Sequence, residues 1–233
     1  MLVRSRALLA AAAVIIAATA VWSAPAGAAG ETIQPGAYSE TAVGGCTLNF
    51  VYNGTGTNLG KTFIGTAAHC VKEIGDEVSL ASGEVFGDVA FIGDENSSAP
   101  DFAFIQVRSA FLSRVSPAVK GYPAYPTGVT SPQDTVSGDL VQISGHGLGF
   151  GFTAVTQEKR VAVMGYDDAD VHEVTGPIDF GDSGGPLVHV KSGKALGIVS
   201  RLCIGLCSEE GPTVAGLLAK ANAAGFGVTL RTV

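Results

Sequence analysis

Gly181-Asp182-Ser183-Gly184-Gly185-Pro186 is the stretch whose reading decides the fold. A lone Ser among glycines is an ordinary turn, since Gly takes positive φ freely and Ser bonds its own backbone. The string gains meaning from a second one far upstream, Thr66-Ala67-Ala68-His69-Cys70. Among the acids between them, three are candidates: Asp88, Asp94, and Asp101 at the head of the apolar run Phe102-Ala103-Phe104-Ile105. A serine hydroxyl is a poor nucleophile at neutral pH and needs a base to take its proton. An imidazole titrates near neutrality and can accept and return that proton. A carboxylate holds the imidazole tautomer and stabilises its cation. Ser183, His69 and one of the acids therefore make a candidate hydrolytic set, in the chain order His, Asp, Ser.

The N-terminus reads as a targeting segment. Arg4 and Arg6 precede the almost wholly apolar Ala7–Val21, and Ala-x-Ala patterns follow at Ala24-Pro25-Ala26 and Ala26-Gly27-Ala28. This predicts a signal peptide over residues 1–29 and a secreted, extracellular product. The apolar core is short for a membrane span and ends in a cleavage pattern, which disfavours an uncleaved anchor. No other segment is long and apolar enough to cross a bilayer, so no membrane contact is expected once the leader is removed. Without Arg4 and Arg6 the 14 basic residues fall to 12 against 21 acidic ones, a net charge of −9. So acidic a surface argues against nucleic acid as a partner. About 205 residues remain, enough for one sizeable core or two small packed barrels.

The remainder reads as all-β. Gly is abundant at 32 residues, and short apolar or alternating runs are separated by turn residues. Strands are expected at Cys46–Tyr52, Lys61–Thr66, Glu77–Leu80, Glu84–Ile92 and Phe102–Val107, then at Leu140–Ile143, Phe152–Met164, Val171–Val174, Pro186–Val190 and Ala195–Ser200. Residues 121–132, rich in Pro, Gly and Tyr, read as a linker. Leu217, Leu218 and Ala221 fall at helical spacing in Val214–Ala224, which Gly225 terminates. The four cysteines, Cys46, Cys70, Cys203 and Cys207, are expected as disulfides in a secreted chain, and the residues alone leave all three connectivities open. A metal site is the weaker reading, because no Cys-x-x-Cys pair is present and His69 is otherwise employed; no metal and no cofactor are expected.

On these motifs and their order the chain resembles the chymotrypsin-like serine proteases, nearest to their small secreted bacterial members, from about Ile33 to the C-terminus. The resemblance implies an all-β fold of two six-stranded Greek-key-type β-barrels, residues 30–120 and 121–233, with a short C-terminal helix. It implies a serine endopeptidase acting through an acyl-enzyme, with His69, Asp101 and Ser183 as its triad. Asp101 is preferred among the acids because Asp101-Phe102-Ala103-Phe104 matches the family's Asp-Ile-Ala-Leu pattern, whereas Asp88 and Asp94 lack that context. The backbone N–H groups of Gly181 and Ser183 would form the oxyanion hole. Ser200 would hydrogen-bond the catalytic acid and open the strand that pairs with substrate. A Cys46–Cys70 bridge follows from the family pattern and leaves Cys203–Cys207 as a local loop. In the family the Asp before the catalytic Ser pairs with a newly cut N-terminal amine or with an internal Arg; here Arg160 is the candidate partner of Asp182. His146 stands where the family often has Trp and is read as structural, as are His172 and His189 on strands.

The specificity pocket departs from the best-known patterns. Pro177, at the pocket base, is not an acid, so a preference for Lys or Arg is not supported. Val199 replaces a His used by glutamate-specific bacterial members. With Ile178, Phe180, Ser200, Arg201 and Leu202 as the other pocket residues, the expectation is cleavage after apolar residues such as Leu, Met or Val. Asp179 is the one group that would restore a basic preference if it turned inward. Expected partners are protein or peptide substrates and proteinaceous protease inhibitors, and the chain is expected to be monomeric. The competing readings are an esterase or highly selective protease on the same fold, and a non-catalytic binding protein that retains the fold.

Overall fold

The computed structural model describes residues 30–94, 96–147, 158–201 and 209–233. Residues 31–233 form one compact unit. The leader, the first part of the expected 152–164 strand, Leu202 and the Cys203–Cys207 loop lie outside the described residues.

The first sheet is built from β1 (Tyr38–Thr41), β2 (Gly44–Thr47), β3 (Val51–Gly54), β4 (Thr62–Thr66), β5 (Glu77–Ser79), β6 (Val85–Ile92) and β7 (Ala103–Val107). The second is built from β8 (Leu140–Ile143), β9 (Arg160–Asp167), β10 (Val171–Thr175), β11 (Pro186–His189), β12 (Ala195–Ile198) and β13 (Glu209–Pro212). Helix α1 (Val214–Ala223) follows, and β14 (Val228–Leu230) closes the described chain. The sheet orders are β14-β3-β4-β7-β6-β5-β1-β2 and β12-β11-β8-β9-β10-β13. All the ladders between these strands are antiparallel. Among the described residues the result is the expected mostly β, barrel-like arrangement with one short C-terminal α-helix.

Among the described residues the first sheet has eight strand segments rather than six. The expected Cys46–Tyr52 strand is divided between β2 and β3, and β1 is an addition to the expected strands; at the break the Asn49 side chain lies against Gly65, where a Cβ would collide with it. The chain's end also returns from the second sheet, with Val228, Thr229 and Leu230 pairing with Gly54, Asn53 and Tyr52. Phe226 drives this return by packing against Phe63, Phe91 and Phe104, at centroid distances of 5.1, 4.8 and 5.6 Å. The helix itself starts where Thr213 Oγ1 accepts the Gly216 N–H at 2.9 Å, a capping bond that satisfies one orphan donor. It ends at Gly225, whose φ of +82° suits a residue without a Cβ.

Strand β9 sets up the site. Its burial alternates, with Arg160, Ala162 and Met164 inward and Val161 and Val163 outward, as the two-residue period of a strand requires. Arg160 thus occupies a core position, where an unpaired charge would be prohibitive.

Cys46 and Cys70 are bridged, as the family pattern implies, tying β2 to the 3₁₀ turn that carries His69. The bridge closes a separation of 24 residues, so removing it should destabilise the fold by about 3 kcal/mol through loop entropy. Urea unfolding of Cys46→Ala/Cys70→Ala checks this, and a loss below about 1 kcal/mol would contradict it.

Candidate active site

The two halves meet where the Ser183 turn lies against the His69 segment. A Cβ on Gly184 (φ +83°) would collide with Thr66 Oγ1, the Thr47 carbonyl and Ala67 N. Only glycine permits that approach. Thr47, fully buried, is the joint: its N–H donates to the Ser183 carbonyl at 2.9 Å. Its hydroxyl donates to the Gly181 carbonyl at 2.7 Å and accepts the His146 N–H at 3.0 Å. The sequence contains no motif that singles Thr47 out beyond its place after Cys46.

Among the candidate acids, Asp101 is the one brought to His69. Its φ of +64° is the left-handed conformation that Asp tolerates better than most residues. The carboxylate faces His69 Nδ1 at 3.0 and 2.9 Å and also accepts the His69 backbone N–H at 2.9 Å. Ser200 Oγ donates to its second oxygen. Asp88 is instead paired with Arg108, and Asp94 caps the amide of Asn96. Burial works to raise the Asp101 pKa, but the hydrogen bonds from His69 and Ser200 outweigh it and hold it below the usual carboxylate value. The bond to Asp101 raises the His69 pKa above its ordinary value, against a smaller desolvation effect.

His69, Ser183, Ser200, Gly181 and Phe180 line one cavity of about 550 Å³, with Tyr38, Val43, Cys46 and His146 on its other side. No hydrogen bond joins Ser183 Oγ to His69, a contact that in unliganded enzymes often tightens only with substrate. Among the described residues the Gly181 and Ser183 N–H groups have no protein acceptor. Gly181, at φ +100°, has the conformational freedom to aim its amide. Burial holds the His146 pKa below its ordinary value, favouring a neutral ring in the cavity wall.

The Ser183 loop is latched from behind. Asp182, with no solvent exposure, receives Arg160 Nη1 and Nη2 at 2.6 Å each. It also accepts the N–H groups of Gly147 and Asp179, both at 2.9 Å. Arg160 Nη1 additionally donates to the Pro177 carbonyl at 2.8 Å. Both ends of the loop that precedes Ser183 are therefore held by one guanidinium.

The expected pocket residues fall in different places. Phe180 is more than half exposed at the cavity mouth. Ile178 packs against the second sheet's core, and buried Val199 belongs to the same core. Arg201 borders a smaller cavity of about 350 Å³ with His69, Pro100, Asp101 and Ser200. The Asp179 carboxylate accepts the Phe180 N–H at 2.7 Å. His189 is fully buried between Asp139 and Ser192, and His172 is buried against Glu209.

The Trypsin-like peptidase domain family matches residues 50–198. Among solved structures, Thermobifida fusca Protease A is similar with a TM-score of 0.60 and 22% identity, over 87% of this chain and 100% of that one. Nocardiopsis protease gives 0.59 and 20%, over 86% and 100%. Cellulomonas bogoriensis chymotrypsin gives 0.57 and 18%, over 86% and 100%. At these identities the structural likenesses speak for the fold. No curated protein sequence matches the chain.

Two outcomes follow from this geometry. Arg160→Met leaves the Asp182 carboxylate buried without its cation and should cost about 3–5 kcal/mol of stability, read by urea unfolding; a loss under about 1 kcal/mol would contradict the latch. A base must be deprotonated, so kcat/KM should fall as pH drops through a midpoint above about 6.5, the ordinary imidazole value. Asp101→Asn removes the largest cause of the His69 shift and should move that midpoint down; an unmoved midpoint would contradict the assignment.

Proposed function

The chain belongs to the trypsin-like peptidase family and is a serine-type endopeptidase; from that premise we propose that Ser183, His69 and Asp101 carry its chemistry. The observation that supports this most is the His69 imidazole held by both oxygens of Asp101 in the cavity that Ser183 lines. Ser183 Oγ attacks the scissile carbonyl carbon while His69 Nε2 takes its proton. The carbonyl oxygen, now negative, is met by the N–H groups of Gly181 and Ser183. His69 then gives the proton to the departing amine, leaving an acyl-enzyme. Water repeats the sequence, with His69 again as base, and frees the acid product. Asp101 stays ionised throughout and stabilises the imidazolium.

Residues 1–29 act as a signal peptide that directs the enzyme out of the cell. Among the described residues no helix is long and apolar enough to cross a membrane.

The preferred residue before the scissile bond is apolar. Pro177 brings no charge, its carbonyl being directed to Arg160, and the Asp179 carboxylate is engaged by the Phe180 amide. A Lys or Arg side chain buried there without a partner would lose several kcal/mol, whereas a Leu or Met side chain gains about 1.5–3 kcal/mol on leaving water.

Hydrolysis of peptides that differ only in that residue tests both parts. Leu should exceed Lys and Arg by at least about tenfold in kcat/KM, and Ser183→Ala should lower kcat by about 10⁴–10⁶-fold. Equal turnover by Ser183→Ala would overturn the triad, and a tenfold advantage for Lys or Arg would overturn the apolar preference alone.

A further inference from the structure

Behind Ser200 lies a buried acid–imidazole pair that the triad chemistry leaves unused. Glu209 opens β13 and is 3% exposed, and His172 on β10 is wholly buried. The two strands are paired, with His172 opposite Gly211 and Val174 opposite Glu209. Glu209 Oε2 faces His172 Nε2 at 3.0 Å, and Glu209 Oε1 accepts the Ser200 backbone N–H at 2.7 Å. The next residue along completes the clamp: Arg201 and Glu210 exchange backbone hydrogen bonds at 3.0 and 3.3 Å.

The packing assigns the hydrogen-bond roles. His172 Nδ1 has no partner among the described residues. It lies against Gly197, where a Cβ would collide with it. Nε2 is the nitrogen that meets a carboxylate oxygen, so the proton belongs there, and a lone pair is the cheaper group to leave unpaired at Nδ1. Both Glu209 oxygens are thereby committed, one to His172 and one to Ser200. The carboxylate is not a free counter-charge for a basic substrate side chain.

A continuous chain results: His172 fixes Glu209, Glu209 fixes the Ser200 backbone, Ser200 Oγ donates to Asp101, and Asp101 holds His69. We propose that Glu209, held by His172, is a positioning residue that sets Ser200 for two tasks: orienting Asp101 through Oγ, and presenting the Ser200–Arg201 segment to substrate. This rests on the reading of His69, Asp101 and Ser183 as the triad. Small displacements of catalytic groups are costly, about a hundredfold for an ångström in unfavourable cases, so the orientation of Asp101 is where loss of the clamp would register.

A kinetic double-mutant cycle on the folded enzyme, with active sites counted by fluorophosphonate labelling of Ser183, tests this. Glu209→Ala should lower kcat about tenfold or more and raise KM. Glu209→Gln keeps an acceptor for the Ser200 N–H and meets His172 Nε2 with an amide N–H once the imidazole proton moves to Nδ1, and it should restore kcat to within about threefold of wild type. In a Ser200→Ala background the route to Asp101 is already cut, so Glu209→Ala should add less than about twofold to the loss in kcat while still raising KM. Should Glu209→Ala not fold, His172→Leu, which removes the Nε2–H donor and leaves the carboxylate in place, carries the same cycle with an expected loss of about three- to tenfold. A kcat unchanged in the single variants, or a loss that simply multiplies with that of Ser200→Ala, overturns the proposal and leaves the pair a packing element. A wild-type protein that is not labelled at Ser183 overturns the triad reading, and this inference with it; a labelled wild type with an unaffected Glu209→Ala overturns this inference alone.

Discussion

Arg160 and Asp182 form the constraint on which the rest of the site depends. Neither is exposed, and charges removed from water must be matched by nearly complete hydrogen bonding. The Asp182 carboxylate takes two guanidinium and two backbone donors, and the same guanidinium takes the Pro177 carbonyl. Such a node has one low-energy arrangement. Because Asp182 precedes Ser183, fixing its carboxylate fixes the turn that carries the proposed nucleophile and the glycine amide proposed to meet the oxyanion. A buried ion pair is weak evidence of net stability; its value here is that alternative loop conformations would strand a charge in the core.

The other half of the site is positioned by close approach rather than by charge. Gly184 lets the Ser183 turn come against Thr66 and Ala67, three and two residues before His69. Thr47 then links three segments through its amide and hydroxyl. The disulfide ties the neighbouring Cys46 to the end of the His69 turn. Groups far apart in sequence are brought to one cavity by a few contacts.

Legibility from sequence followed the locality of the physics. Gly181–Pro186 and Thr66–Cys70 could be read because each is a contiguous string whose residues serve one turn. Asp101 could be chosen over Asp88 and Asp94 only through the strand that follows it. The Arg160–Asp182 contact could be named only as the candidate pair that the family resemblance suggests, since 22 residues separate the partners and nothing in that stretch places them side by side. One signal did exist: in Arg160-Val161-Ala162-Val163-Met164 the arginine shares the register of Ala162 and Met164, and an inward charge needs a partner. Glu209 and His172 carried no such mark, because β13 is four residues long and its sequence, Glu209-Glu210-Gly211-Pro212, looks like a turn. β14 was missed for the same reason: three residues after Gly225 and Gly227 show no periodicity, and the aromatic cluster around Phe226 recruits them only in three dimensions.

An internal latch has a consequence that separates it from its alternative within the family. Ile33 is buried in the first sheet's core with its amide bound to the Arg114 carbonyl at 2.9 Å, so the start of the described chain is committed elsewhere and Asp182 needs no terminal amine. The direct test is the second-order rate constant for labelling of Ser183 by a fluorophosphonate, measured on folded protein whose N-terminal amine ahead of residue 31 is either free or acetylated. Equal rate constants are the expected result; labelling that requires the free amine would contradict an active-site loop held by Arg160.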